Sequence, residues 1–345
     1  MKIQFKRLKK LPSLAIALFL TAIVVIAFTF ASISQAKTLP LVLPSWQEGN
    51  SKETIIAFVN RVTTETSPSY VPPAERIAVF DNDGTLWSEK PFYFQLFFMA
   101  DRLKSMEAEH PEWSTKMPYQ AILAGDAQAI AQFTTQKELA ELLAVTHSGM
   151  TVEEFQLLAK RWLKSAKHPR FNHLFTECVF QPMLELLDYL RANNFKTFIV
   201  SGGGIDFIRA FAEEVYGIPP EQVVGSNLKT RWEEEDGKFV LRKLPELGSY
   251  DDKEGKPINI DLHIGRRPIL AFGNSDGDLA MLQYTASGER PSLMLILHHD
   301  DSQREWAYDR KSNIGHLDKA WDEAERRGWT VVSIKRDFKQ VYPFN

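Results

Sequence analysis

Residues 77–87 read Ile-Ala-Val-Phe-Asp-Asn-Asp-Gly-Thr-Leu-Trp, and no other stretch of the chain constrains the fold as tightly. The run Ile77 to Phe80 is apolar, β-branched and aromatic, which predicts a buried strand. It stops at two acids one residue apart, Asp81 and Asp83, followed by a glycine that lets the chain turn. Two carboxylates at a buried strand end are costly unless a cation or hydrogen bonds offset their charge. The arrangement suits a hard cation held by oxygen ligands, with one carboxylate free to attack an electrophile. A calcium-like or purely turn-forming Asp-x-Asp-Gly loop is the other reading, because Asp, Asn and Gly are common turn residues.

The rest of the chain supplies a context for that strand. Lys52 to Thr64 has helical spacing, and Pro72 and Pro73 prevent its continuing into the strand. Residues 91–173 show no strand alternation. Apolar residues recur there at helical spacing, from Phe92, Phe94, Phe97 and Phe98 through Leu103, Ile122, Ile130 and Phe133 to Leu139, Leu142 and Leu143. Thr151-Val-Glu-Glu154 has the form of a capping box opening a helix over Phe155 to Leu163. Beyond this block the pattern alternates: helix Gln181 to Asn193, strand Lys196 to Val200, helix Ile205 to Tyr216, and a hairpin Leu228 to Leu241 turning at Asp236-Gly237. Strand Pro268 to Phe272, helix Asp278 to Tyr284, strand Ser292 to Leu297, helix Asp318 to Arg327 and strand Trp329 to Ile334 complete it. Such alternation predicts a three-layer, doubly wound parallel sheet with an inserted α-helical cap.

Composition excludes more than it specifies. The 345 residues are 44% hydrophobic and 25% charged, as in ordinary globular proteins, and carry a net charge of −3. There is no basic stripe, so nucleic acid is not an expected partner. Cys178 is the only cysteine, which rules out an intrachain disulfide and leaves the hydrophobic core to hold the fold. The first 36 residues read as a leader: Lys2, Lys6, Arg7, Lys9 and Lys10, then an apolar run from Leu14 to Ala31, then Ser34-Gln35-Ala36 with small residues placed for cleavage before Lys37. Two readings follow: a cleaved export signal, or a membrane anchor, since residues 14–31 approach the roughly 20 needed to span a bilayer. Both put the working domain outside the cytoplasm, in the periplasm or another extracytoplasmic space. The membrane is a partner only through this segment.

Ligands of doubly wound sheets sit beyond the carboxyl ends of the strands. Three strand ends deliver chemistry to that edge. Asp81 and Asp83 follow the first. Ser201-Gly202-Gly203-Gly204 follows Phe198 to Val200, and Gly273-Asn274-Ser275-Asp276-Gly277-Asp278 follows Ile269 to Phe272. Backbone N–H groups of the glycine turn at a helix start suit a phosphoryl oxygen. No Gly-x-Gly-x-x-Gly pattern argues for a nucleotide loop.

These motifs resemble those of the haloacid dehalogenase (HAD) superfamily. Asp81-Asn-Asp-Gly-Thr-Leu resembles its first motif, Phe198-Ile-Val-Ser201-Gly-Gly its second, and Phe272-Gly-Asn-Ser-Asp-Gly-Asp its fourth, usually Gly-Asp-x-x-x-Asp. The helical block has the place and size of the phosphoserine-phosphatase-like cap, which implies a core of residues 37–90 and 174–345 and a cap of residues 91–173. The resemblance implies that Asp81 attacks phosphorus and forms an aspartyl-phosphate, and that Asp83 handles the proton, first as acid and then as base. Dehalogenases of the superfamily lack the second acid, so Asp83 favours phosphoryl chemistry. Ser201 and Gly202 are expected to bind phosphate, and Asp81, Asp83, Asn274 and Asp278 to hold Mg²⁺.

A lysine is expected to neutralise the phosphate and Asp81. The resemblance places it about one helix before the fourth motif, where Lys256 fits best, on a helix starting near Pro257, with Lys253 as runner-up and Lys229 and Lys243 as remote alternatives. Asn274 departs from the family pattern, standing where an Asp is usual. Its carbonyl oxygen can still ligate a hard cation, with one negative charge fewer. Asp276 is a candidate to share that work. Asp206 and Arg209 face substrate or serve as capping and solvated residues. His298, His299, Asp300 and Asp301 follow a strand at the same edge and are read either as a zinc site or as a loop lining the pocket mouth, extended by Arg304, Tyr308 and Arg310. The cap aromatics Phe92, Tyr93, Phe94, Phe97, Phe98 and Trp113 are core residues or the walls of a pocket for an apolar leaving group. The implied activity is exported, Mg²⁺-dependent hydrolysis of a small-molecule phosphomonoester. The alternatives are a phosphotransferase on the same scaffold and a catalytically silent binding protein.

Overall fold

The computed structural model describes residues 42–130 and 136–344. The expected leader, residues 1–36, lies outside them. Among the described residues no helix is long and apolar enough to cross a membrane.

In chain order the elements are α1 (Asn50–Thr63), β1 (Ile77–Phe80), α2 (Phe94–Met106), α3 (Tyr119–Ala124), α4 (Ala127–Ile130), α5 (Gln136–His147), α6 (Val152–Leu163), α7 (Gln181–Ala192), β2 (Lys196–Gly204), α8 (Ile205–Arg209), α9 (Ala212–Tyr216), β3 (Val223–Glu235) and β4 (Lys238–Ser249). Then come α10 (Gly255–Ile264), β5 (Leu270–Gly273), α11 (Leu279–Ala286), β6 (Leu293–Asp300), β7 (Ala307–Tyr308), α12 (Lys319–Arg327), β8 (Thr330–Ser333) and α13 (Ile334–Asp337).

The strands form one sheet in the order β4-β3-β2-β1-β5-β6-β7, with β8 pairing β6. β1 runs parallel to both β2 and β5, and the chain leaves it first toward one side and later toward the other. That reversal is the topological switch point at which ligands of such sheets collect. Every residue of β1 is buried, and they divide by parity. Ala78 and Phe80 join a core with Val59 of α1 and Leu187 of α7. Ile77 and Val79 join a second core with Ile260 of α10, Leu282 of α11 and Ala324 of α12. A strand covered on both faces needs no polar alternation, which is why the motif's apolar run is continuous.

The helical stretch between β1 and β2 contains α2 to α7. Thr151 caps α6 as its sequence implies: its hydroxyl accepts the Glu154 N–H, and the Glu154 carboxylate accepts the Thr151 N–H. The long hairpin β3–β4 reaches this insertion, with the Gly149 N–H donating to the Lys243 carbonyl and the Lys243 N–H to the Met150 carbonyl.

Three elements depart from the sequence reading. The expected helix over 205–216 is broken into α8 and α9, and Phe211 in the gap stacks on Trp87 at 4.4 Å. The hairpin is longer than predicted because the start of β3 first pairs in parallel with β2, at Ile199↔Val223 and Val200↔Val224, before turning outward. The Ser292 strand continues to Asp300 as β6, so His298 and His299 lie in it and not beyond it.

The hairpin turns at Asp236-Gly237, with φ of 49° and 75° at the two residues. Positive φ at both positions is the signature of the turn that matches strand twist. A Cβ at Gly237 would meet nothing within 4 Å. Gly237→Ala is therefore expected to lower stability by about 1 kcal/mol through backbone strain alone, read from urea unfolding midpoints, with turnover unchanged.

Candidate active site

The Asp81 loop is shaped by its own backbone. Asp81 N–H continues the sheet by donating to the Phe272 carbonyl, and the N–H groups of Thr85, Leu86 and Trp87 all converge on the Asn82 carbonyl. Gly84 closes this turn with φ of 78°. The indole of Trp87 donates to Asp83 Oδ1 at 2.8 Å, which fixes that carboxylate and leaves its other oxygen to the cavity.

Lys256, in the first turn of α10, lies under Asp81. Its ammonium is 2% exposed, and it donates to Asp81 Oδ1 at 2.7 Å, Asp278 Oδ1 at 2.6 Å and the Val200 carbonyl at 2.8 Å. All three protons are used. Burial opposes the charge on Lys256, but Asp278 and Asp81 outweigh it and raise its pKa. Asp81 is itself raised, mainly by burial and further by Asp278 and Asp83, against the pull of Lys256. Burial pushes Asp83 up to about 6, against the hydrogen bond from Trp87. Asp81 Oδ2 accepts no hydrogen bond from the described residues.

One cavity gathers these groups. Asp81, Asp83, Lys256, Asp278, Ser201 and Gly202 all line it. Ser201 is buried, and its Oγ accepts the Gly203 N–H at 3.1 Å, so its own proton remains available to donate. The glycine turn is drawn into β2 through Gly204, where Gln95 Oε1 of α2 accepts its N–H at 2.8 Å. Gln95, Leu96 and Met99 of α2, with Tyr93 and Leu143, form the opposite wall. Of the expected cap aromatics, Tyr93 lines the cavity, whereas Phe94, Phe98 and Trp113 are packed in the core.

Two of the four expected cation donors are turned to other partners. Asp278 gives Oδ1 to Lys256, and its Oδ2 accepts the N–H groups of Asn274 at 2.9 Å and Ser275 at 3.0 Å. Asn274 accepts the Thr85 hydroxyl at its Oδ1 and donates from Nδ2 to Glu89 at 2.7 Å. Asp276 leaves the site altogether and accepts N–H groups at the start of α12. Glu89, which no spacing in the sequence singles out, lines the cavity beside Asp81 and Asp83, and burial raises its pKa well above the carboxylate range. Asp252 and Tyr250 also line it and were equally unmarked.

The other lysines have separate work. Lys243 pairs in a buried contact with Asp206 behind the cavity, and Lys229 pairs with Glu246 on the hairpin surface. Lys253 does not line the cavity. Arg209 donates to the Pro220 and Val223 carbonyls and faces no substrate space. The zinc and pocket-mouth readings of 298–301 both fail. The His299 ring is buried between the Gly84 carbonyl and Glu305, whereas His298 packs against Trp321 on the opposite face of β6. Arg304 binds Asp301 and the Phe338 carbonyl, and Arg310 pairs with Asp318 and Asp322. Only Tyr308 touches the site, through Glu89 at 2.8 Å.

Among the described residues no three His, Cys, Asp or Glu side chains are grouped to cage a metal by themselves. Mg²⁺ needs no such cage, since it keeps several waters and takes one or two carboxylates plus phosphate oxygens. At its Asp81 edge the cavity offers the hard carboxylate oxygens of Asp81, Asp83 and Glu89. Gly84 lets the Asn274 and Glu89 side chains pack against this loop, since a Cβ there would come within 2.1 Å of Asn274 Nδ2 and 2.5 Å of Glu89 Oε1. The donor set fits Mg²⁺.

Residues 78–283 match the family described as haloacid dehalogenase-like hydrolase. No curated protein matches the chain. Among solved structures, a conserved functionally unknown protein from Anaerococcus prevotii DSM 20548 is similar over 82% of this chain and 91% of its own, at 18% identity and a TM-score of 0.50, a likeness of fold alone. A protein with unknown function from Bordetella pertussis Tohama I is similar over 75% and 98%, at 14% identity and a TM-score of 0.48. A phosphoserine phosphohydrolase-like protein from Francisella tularensis subsp. tularensis SCHU S4 is similar over 65% and 87%, at 20% identity and a TM-score of 0.36. The chain belongs to the haloacid dehalogenase-like hydrolases.

Removing Lys256 would strand two buried carboxylates. Lys256→Met is expected to cost about 3–5 kcal/mol at neutral pH in denaturant unfolding, the range for breaking a buried ion pair from one side. A loss below about 1 kcal/mol would contradict the burial described.

Proposed function

Proceeding from that membership, we propose that the chain is a Mg²⁺-dependent phosphatase that hydrolyses a small-molecule phosphomonoester through an aspartyl-phosphate on Asp81. The observation that carries this reading is the division of labour between two acids in one cavity. Asp81 has Oδ1 fixed by Lys256 and Oδ2 unengaged by any of the described residues, while Asp83 has Oδ1 fixed by Trp87. A nucleophile held by one oxygen presents the other in a single direction.

In the first step Asp81 Oδ2 bonds to phosphorus, and the bond from phosphorus to the ester oxygen breaks. Asp83, raised to about 6, gives its proton to the departing oxygen. In the second step Asp83 takes a proton from water, the water oxygen bonds to phosphorus, and the acyl-phosphate bond returns its electrons to Asp81. The Ser201 hydroxyl and the Gly202 N–H donate to phosphoryl oxygens, and Lys256 holds Asp81 in place throughout. Asp81 and Asp83, with Asn274 nearby, would hold Mg²⁺, which when bound would neutralise charge on the phosphoryl group. Asp278 acts by positioning Lys256 and the loop after β5.

The wall contributed by Leu96, Met99, Leu143, Tyr93 and Tyr250 supports a neutral, largely apolar leaving group. Among the described lining residues Lys256 is the only cation, and it is fully engaged. A substrate with a second anionic group would find nothing to pair with it. The basic and apolar leader of residues 1–36 supports a reaction outside the cytoplasm.

Phosphate release from a panel of phosphomonoesters with Mg²⁺ tests the reading. The parent is expected to turn over, Asp81→Asn to lose all detectable activity, and Asp83→Asn to lose about 10²-fold or more in kcat. Turnover surviving in Asp81→Asn would remove the nucleophile assignment. In the same panel, kcat/KM for a neutral aryl or alkyl phosphate should exceed that for phosphoserine by about tenfold or more.

A further inference from the structure

Asn274 leaves the Asp81 edge one acid short of its family's pattern, and the structure contains an acid beside it. Glu89 sits on the loop after the first motif, 2% exposed, with its carboxylate against the Asn274 side chain. The Asn274 amide donates to Glu89 Oε1 at 2.7 Å, and the Tyr308 hydroxyl donates to the same oxygen at 2.8 Å. Glu89 Oε2 accepts no hydrogen bond from the described residues, and Glu89 lines the cavity shared with Asp81 and Asp83. Two glycines on separate loops make room for it. A Cβ at Gly84 would lie 2.5 Å from Oε1, and one at Gly315 would lie 2.0 Å from it.

Charge makes the placement informative. Asp81, Asp83, Glu89, Asp252 and Asp278 line the cavity against one cation, Lys256, which is bonded to Asp81 and Asp278. Lys90, adjacent in sequence, attracts Glu89 from a distance but makes no ion-pair contact with it, its ammonium donating to Ser312 Oγ at 2.6 Å and the Ile314 carbonyl at 3.0 Å. A buried carboxylate without a paired cation is expensive, and one oxygen held by two donors leaves the other available. An Asp at 274 facing this carboxylate would place like charges in contact, so the Asn is the residue that lets Glu89 sit there.

We infer that Glu89 supplies the carboxylate that Asn274 does not: the acid of the cation site has moved from the loop after β5 to the loop after β1, with Asn274 and Tyr308 holding it by one oxygen so that Oε2 faces the cation. This rests on the metal-dependent reading of the site, but its test is a binding measurement and does not pass through turnover. Asn274 in this arrangement is a positioning residue. The sequence separation explains why motif spacing alone leaves position 274 looking like a loss.

The experiment is titration of the full chain with Mg²⁺ by calorimetry, and with Mn²⁺ by loss of the free-ion EPR signal, in the absence of substrate. Glu89→Gln, which keeps size and hydrogen-bonding reach, is expected to weaken both metals by about 10–100-fold, the range for altered metal-site partners. The exchange Glu89→Gln with Asn274→Asp returns a carboxylate to the edge and is expected to recover affinity to within about threefold of the parent. Far-ultraviolet circular dichroism melts report whether each variant is folded, and a folded double variant keeps the test open if the single one is damaged. Unchanged Mg²⁺ and Mn²⁺ affinity in folded Glu89→Gln would overturn the inference, as would a parent that binds neither metal. Failure of the phosphatase reading would show separately, as intact metal binding without phosphate release.

Discussion

The Lys256 ammonium is the contact on which the rest of the site depends. From α10 it reaches the ends of three strands at once: Asp81 after β1, the Val200 carbonyl in β2, and Asp278 beyond β5. It is buried, so its charge is compensated from within the protein, chiefly by the Asp278 and Asp81 carboxylates that it touches. The same bonds that stabilise it fix one oxygen of Asp81 and the loop that carries Asn274. Geometry at the Asp81 edge therefore follows from satisfying one buried cation.

The parallel sheet makes that convergence available. Because β1 lies between β2 and β5, and the chain turns to opposite sides from it, loops distant in sequence open at one edge. The two apolar cores on either face hold the strands in register, and the polar groups are confined to their carboxyl ends. The helical insertion then closes the cavity from above with Tyr93, Gln95, Leu96 and Met99. Gln95 ties the two parts together through the Gly204 N–H, so the helical wall of the cavity is bonded to the glycine turn on its other side.

Much of this was legible in the chain because strand ends are local signals. Ile77 to Phe80 followed by Asp81, and Ile269 to Phe272 followed by Gly273 and Asn274, each announce a buried strand and a polar turn within a few residues. Lys256 was reached through the family resemblance, which places a lysine about one helix ahead of the fourth motif. Glu89, Tyr250 and Asp252 were not, since each reaches the cavity by tertiary packing, and an isolated acid or tyrosine in a loop has no period to read. His299 shows the converse. The paired histidines drew a metal reading, but strand alternation sends one ring to the Gly84 carbonyl and the other to the opposite face of the sheet. The break between α8 and α9 was hidden for a similar reason, because Phe211 is claimed by Trp87, more than a hundred residues earlier.

The claim at the centre is covalent: Asp81 becomes phosphorylated. Acid quenching of the parent during turnover of a saturating phosphomonoester, followed by proteolysis and mass spectrometry, reads this directly. One phosphoryl group on the peptide containing Asp81, labile to hydroxylamine and missing from Asp81→Asn, is the predicted result. A phosphoryl group on Ser201, or turnover with Asp81 unmodified at every quench time, would contradict the account.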